Sequence, residues 1–302
     1  MSSEDFNAQV ERAMLVGNRA HMRPVIEKEL LHHDILFALD AEGLLDSLTF
    51  QGGTSLRLCY GSARLSEDLD FVGGVNFNTQ QFLSVKSCIE RYIGDRYGLE
   101  VRVKEPKEMA QEPEHRHVLV HKWQIRVTTA PARRDLPKQI IKIEIAAVPA
   151  HERVPQQLRQ NYDFLPDGYG DLVILTESLD EIMADKLVSL VNCTAYVRHR
   201  DIWDLHWLAQ QGAKRNDVLL GHKLADYSVT DYETKAAQLS KRLPEIVRGK
   251  AFRDQMARFI PLDVQQRTLL KDKFLAVLER DTVEAVKYAV ASQVGRRSSR
   301  NP

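Results

Sequence analysis

In the run GGTSLRLCYGSARLSEDLDF, from Gly52 to Phe71, two aspartates stand one residue apart at Asp68 and Asp70, thirteen positions past Ser55. On a strand, side chains alternate between faces with a rise of about 3.3 Å per residue, so both carboxylates share a face and can hold one divalent cation between them. Leu69 and Phe71 point the other way, into a core. Carboxylate oxygens are the hard ligands Mg²⁺ prefers. The glycine pair just upstream permits a tight turn in which backbone N–H groups approach phosphate closely. The spacing therefore predicts a metal-dependent nucleoside triphosphate site.

Three further segments carry candidate chemistry. Ile141, Ile143 and Ile145 alternate with Lys142 and Glu144, which places Glu144 on a strand face opposite the isoleucines and makes it the natural third metal ligand. In ESLDEIMADKLVSLV, Lys186 lies on the stripe defined by Ile182, Met183, Leu187 and Leu190. A lysine there needs an anion, and a triphosphate is one that suits its compact charge. In RHRDIWDLHWL, Asp201 and Asp204 share a helical face, where they are either functional or bound structurally to Arg198 or Arg200. His115, His117 and His121 are read as exposed strand histidines rather than a zinc site, and Trp203 and Trp207 as core packing.

The elements that must position these groups follow from periodicity. Pro24 to Leu39 has a helical repeat of apolar residues, a short strand spans Leu48 to Gln51, and a helix is expected from Ser55 to about Tyr60. Arg64 to Phe71 leads into the second strand, and Thr79 to Tyr92 reads as a helix. From Leu99 to Val148 the period changes to two, as in half-buried strands. Between His115 and Lys142, Arg116, Lys122, Arg126, Arg133, Arg134, Lys138 and Lys142 oppose a single acid, Asp135, a local basic surface. Past Pro149 comes a loop with Pro155, Pro166, Gly168 and Gly170, then Ser178 with Glu181 as a capping box, and a helical pattern to about Gln293.

Composition narrows the class. The chain has 302 residues, enough for about two domains, and 42 basic against 42 acidic side chains, so net charge says nothing about a nucleic-acid partner. Three scattered cysteines fit reduced thiols in a cytoplasmic setting better than a disulfide framework. No apolar run approaches the ~18 residues of a membrane span, and the polar, acidic N-terminus is unlike a signal peptide. GGTSLRLCYG lacks the Gly-Lys-Ser/Thr ending of a P-loop.

Gly53-Thr54-Ser55, the element Arg64-x-Ser66-x-Asp68-x-Asp70-Phe71, then Glu144, Lys186 and Arg200-Asp201-x-x-Asp204-Leu205 together resemble the AbiEii/AbiGii toxin-type nucleotidyltransferases of the DNA polymerase β-like superfamily. The resemblance runs from about Pro24 to Leu208. It implies an α+β fold: an N-terminal domain, here 1–170, with a small mixed sheet flanked by helices, and a helical domain, 171–294, closing the active-site cleft, before a basic disordered tail, 295–302. It implies two Mg²⁺ ions, or Mn²⁺, on Asp68, Asp70 and Glu144, roughly 3.5–4 Å apart. Gly53, Thr54 and Ser55 would hold the β and γ phosphates, either hydroxyl serving. Lys186 would offset charge on the leaving group, with Arg64, Ser66, Asp201 and Asp204 also at the nucleotide. The implied reaction transfers NMP from an NTP to an acceptor hydroxyl, foremost the 3′ end of tRNA, in a toxin whose cognate antitoxin is encoded nearby. A protein or small-molecule acceptor, phosphoryl transfer, and a silent nucleic-acid-binding module are the competing expectations.

Overall fold

In the computed structural model, which describes residues 2–106, 118–132 and 137–298, the architecture is α+β. Two compact units divide at Glu177 and Ser178. Of the basic segment, Arg116, Arg133 and Arg134 lie outside the described residues, as do His115 and His117.

The first unit is built on a seven-stranded mixed sheet in the order β3-β4-β5-β2-β1-β7-β6, with β1 Thr49–Gln51, β2 Leu69–Val72, β3 Val101–Lys104, β4 Val120–Val127, β5 Gln139–Ala146, β6 Arg153–Gln157 and β7 Val173–Glu177. One sheet face is apolar, with Phe71, Trp123, Ile125, Ile141, Ile143 and Ile145 all buried. Helices α2 (Arg23–Ala41) and α4 (Val85–Tyr97) cover it, and α1 (Ser3–Leu15) packs on both helices. Pro24 opens α2, where its missing N–H costs nothing. The α2 helix is buried on nearly all sides, including Glu27, Glu29, His32, His33 and Asp34, and each acid has a partner. Arg57 binds Glu29 through two nitrogens at 2.9 Å each, while Tyr169 donates to Asp34 at 2.5 Å.

Several expectations change in detail. The helix after the glycine turn begins at Gly52 itself and ends at Leu58 (α3). The segment read as a helix from Thr79 is a short 3₁₀ turn, Thr79–Phe82, before α4 begins at Val85. The loop after Pro149 contains two strands. β6 lies at the sheet edge, where Pro155 is tolerated, and β7 slots in beside β1 with Phe50 opposite Thr176.

The second unit is helical: α5 (Leu179–Asn192), α6 (His199–Gln210), α7 (Asp217–Asp226), α8 (Tyr232–Arg248), α9 (Lys250–Ala257), α10 (Leu262–Arg267) and α11 (Asp272–Ser298). The Ser178 side chain accepts from the Glu181 N–H at 3.1 Å, capping α5 as expected. α5 packs on α6, α7 and α8, and α11 on α6 and α8, with Leu187, Leu205, Leu208, Leu243, Leu278 and Val286 in the core. α11 continues to Ser298, into the stretch read as a tail. None of the described helices is long and apolar enough to cross a membrane.

Candidate active site

The two central strands that bring the carboxylates together are far apart in sequence. β2 pairs with β5 in parallel, which sets Asp70 directly opposite Glu144, and with β1 antiparallel, which sets it opposite Gln51. Leu69 and Phe71 are fully buried while Asp68 and Asp70 are half-buried, so the alternation expected of the motif is realised. Asp68 lies just before β2, and one of its oxygens, Oδ1, accepts the backbone N–H of Lys142 on β5 at 3.0 Å.

The glycine turn is pressed against these side chains. Gly52 has φ +77°, and a Cβ there would come within 2.8 Å of Asp70 Oδ2. A Cβ on Gly53 would overlap the Arg64 guanidinium and stand 3.1 Å from Ser66 Oγ. Gly52 is therefore required for the turn to dock on the motif, and a side chain at Gly53 would force the buried Arg64 guanidinium to move. The two hydroxyls tie this joint together: Thr54 donates to the Asp68 carbonyl, and Ser55 to the Gly52 carbonyl at 3.0 Å. Both are fully buried, as is Arg64, whose Nη1 donates to the Leu65 carbonyl at 2.9 Å. Ser66 is buried too, but it precedes β2 and is not on the strand. Behind the motif, Lys28 pairs with Glu67 at 3.1 Å and His32 Nε2 meets the Glu67 carbonyl at 3.0 Å.

Glu144 is held by a residue that the sequence placed in the basic surface and not beside this carboxylate. Lys122, opposite it across β4 and β5, pairs with it at 3.0 Å, and Lys142 Nζ lies at 3.9 Å. Only strand register identifies Lys122, because alternation alone does not say which residue of β4 faces Glu144. Among the described residues, no group of three or more His, Cys, Asp or Glu side chains converges as a metal cage. Asp68, just before β2, and Asp70, on it, nevertheless suit a divalent cation, being half-buried carboxylates one residue apart beside a backbone turn.

Lys186, Asp201 and Asp204 come together in the second unit. Lys186 Nζ lies 2.7 Å from Asp201 Oδ1 and 2.9 Å from Asp204 Oδ2, with all three side chains buried. Asp201 also accepts from Ser189 at 2.9 Å and from Arg198. Burial pushes the Asp201 carboxyl up, but Arg198 and Lys186 outweigh it and hold it well below the usual carboxylate range. The Arg200 guanidinium lies over the Phe259 ring, 5.1 Å from its centre. Trp203 is core, as expected, tilted against Phe274. A cavity of about 580 Å³ in this unit is lined by Arg198, Arg200, Arg242 and Lys250 among others.

A half-buried carboxylate pair beside a glycine turn on a mixed sheet is the arrangement that the resemblance to nucleotidyltransferases implies. The sequence matches that class over residues 34–280 in the family described as the nucleotidyl transferase AbiEii toxin, type IV toxin–antitoxin system, and the chain belongs to this family. No curated protein matches it. Among solved structures, an H. pylori protein carrying a nucleotidyltransferase designation has 19% identity, covering 88% of this chain and 95% of its own, with a TM-score of 0.48. The Helicobacter pylori protein JHP933 has 21% identity, covering 92% and 96%, with a TM-score of 0.43.

Proposed function

We propose that this toxin-family nucleotidyltransferase transfers NMP from an NTP to the 3′-terminal hydroxyl of an RNA, foremost tRNA, and releases pyrophosphate. The observation that carries the reading is the pairing of Asp70 with Glu144 across β2 and β5, with Asp68 just before β2 tied to β5 by the Lys142 N–H and to the glycine turn through Thr54. Asp68 and Asp70 would hold the divalent cation, Mg²⁺ or Mn²⁺, with Glu144 as the third carboxylate once Lys122 yields it. When bound, the cation supplies Lewis-acid polarisation of the phosphate oxygens and acidifies the acceptor hydroxyl.

The remaining work belongs to the chain itself. Gly53, Thr54 and Ser55 present backbone N–H groups to the β and γ phosphates, their hydroxyls being committed to holding the turn. Arg64 and Ser66 stiffen the turn from behind. The acceptor oxygen forms its bond to the α phosphorus as the bond to the bridging oxygen of pyrophosphate breaks, and the acceptor proton leaves to solvent or to Glu144. In the second unit, Lys186, Asp201 and Asp204 form a buried ion cluster that holds α5 to α6. The cognate antitoxin that the family implies would restrain the activity in the cell.

The test is incubation with each α-labelled NTP, Mg²⁺ and total tRNA. Label at RNA 3′ ends is expected, abolished by chelation and reduced at least about 100-fold in Asp68→Ala and Asp70→Ala. Absence of label from RNA with every NTP overturns the RNA reading, and label on protein instead reassigns the acceptor. Expression of the wild type should arrest growth where Asp70→Ala does not.

A further inference from the structure

The open sheet face of the first unit does not end at the carboxylates. Directly opposed residues of paired strands share a face. The row Gln51, Asp70, Glu144, Lys122 crosses β1, β2, β5 and β4. Two residues along, the next row is Lys142, Gln124, Lys104, and the one after is Ile140, Arg126, Arg102. Five cations, Arg102, Lys104, Lys122, Arg126 and Lys142, thus stand on the face that bears the carboxylates. The acids of these rows are confined to one end.

Two features say what such a face suits. The chain as a whole is neutral, so one sign gathered on three adjacent strands is not its background. Charged edge strands discourage aggregation, which accounts for Arg102 and Lys104 on β3 but not for Arg126 and Lys142 on the interior strands β4 and β5. Arg102, Lys104 and Arg126 are exposed, and the pairing of Arg102 with Glu100 at 2.8 Å is between exposed groups that exchange readily. Second, the rows contain no aromatic side chain. Trp123 is buried in the core, and His121 packs against Phe77. Sheet faces that bind unpaired RNA stack its bases on aromatic rings, whereas paired RNA hides its bases and presents phosphates and 2′-hydroxyls.

We infer that this face grips the phosphate backbone of a double-helical RNA stem through Arg102, Lys104, Arg126 and Lys142, leaving the unpaired 3′ end of that stem to reach Asp68 and Asp70. The inference rests on RNA being the acceptor. It makes stem recognition independent of sequence and strongly dependent on salt.

The experiment is fluorescence anisotropy of the full chain with a labelled RNA hairpin bearing a 3′ overhang, and with an unstructured RNA of equal length, across a series of KCl concentrations. The hairpin is expected to bind more tightly. The combined variant Arg102→Ala, Lys104→Ala, Arg126→Ala, its melting temperature checked, should weaken hairpin binding by about 10-fold or more and reduce the salt slope by about 2 to 3, roughly 0.9 for each lost phosphate contact. The charge-keeping set Arg102→Lys, Lys104→Arg, Arg126→Lys should restore most of both. An unchanged affinity and slope in the alanine variant, or tighter binding of the unstructured strand, overturns the inference. Transfer is scored separately on a short 3′-end oligonucleotide, which the alanine variant should label as the wild type does. Failure of the wild type to label any RNA removes the transfer reading, while the binding data still judge the face.

Discussion

At the scale of single residues, Gly52 is where backbone and chemistry meet. Its φ of +77° and the 2.8 Å approach of Asp70 to a would-be Cβ both exclude a side chain. Gly52→Ala should cost about 1–2 kcal/mol in urea unfolding from the left-handed conformation alone, and should lower transfer further because Asp70 must move. An alanine variant with wild-type stability and activity would refute this account of the turn. Lys186 makes the opposite kind of case, because its charge is matched by two buried acids. Lys186→Met should destabilise the protein by roughly 3–5 kcal/mol by stranding those carboxylates, and adding Asp201→Asn and Asp204→Asn should recover much of the loss. If nucleotide binding is its only role, Lys186→Met will melt like the wild type while KM for NTP rises.

At the scale of elements, what was legible depended on whether one face of an element is dry. β5 was readable because Ile141, Ile143 and Ile145 are buried and their neighbours are not. α5 was readable from its apolar stripe and its Ser178 cap, and Ser178→Ala should lower stability by about 1 kcal/mol in thermal melts. β6 was not readable, since Arg153–Gln157 is polar, contains Pro155 and alternates only between intermediate and exposed positions at a sheet edge. α1 hid behind an acidic, polar sequence in which Phe6, Val10 and Ala13 are the only buried apolar residues, although Ser2 and Asp5 form a reciprocal capping box. Register was hidden altogether. That Glu144 faces Asp70 on one side and Lys122 on the other is decided by long-range strand pairing, which no local pattern encodes. The Thr54 hydroxyl, expected at phosphate, turns inward for the same reason, since its partner, the Asp68 carbonyl, is in place only once the turn has docked, whereas Ser55 bonds back to Gly52 within its own helix.

At the scale of the whole molecule, the buried ionisable groups of α2 set the response to acid. Burial pushes His32 and His33 down to about 4, and it raises Asp34 to about 6 against the pull of Arg96. Between pH 6.5 and 4, unfolding lets both histidines take up a proton, which favours the unfolded chain as pH falls. Asp34 works the other way, since its carboxyl releases a proton on unfolding. The net is about one proton bound on unfolding, so stability should fall by up to about 1.4 kcal/mol per pH unit across that window. Urea midpoints at pH 7 and pH 5 check this, and His33→Phe should flatten the slope if the helix accepts the ring. The pairing of β2 with β5 has a different consequence, in the order of events during synthesis. Strand β2 and its partner β5 are separated by the chain from Gly73 to Lys138, so Asp70 and Glu144 become neighbours only after β5 has been translated and a long loop has closed. A ribosome-bound or prematurely truncated chain lacking β5 cannot bring Glu144 beside Asp70, so on the proposed function transfer would begin only when synthesis has passed well beyond the Asp-x-Asp motif.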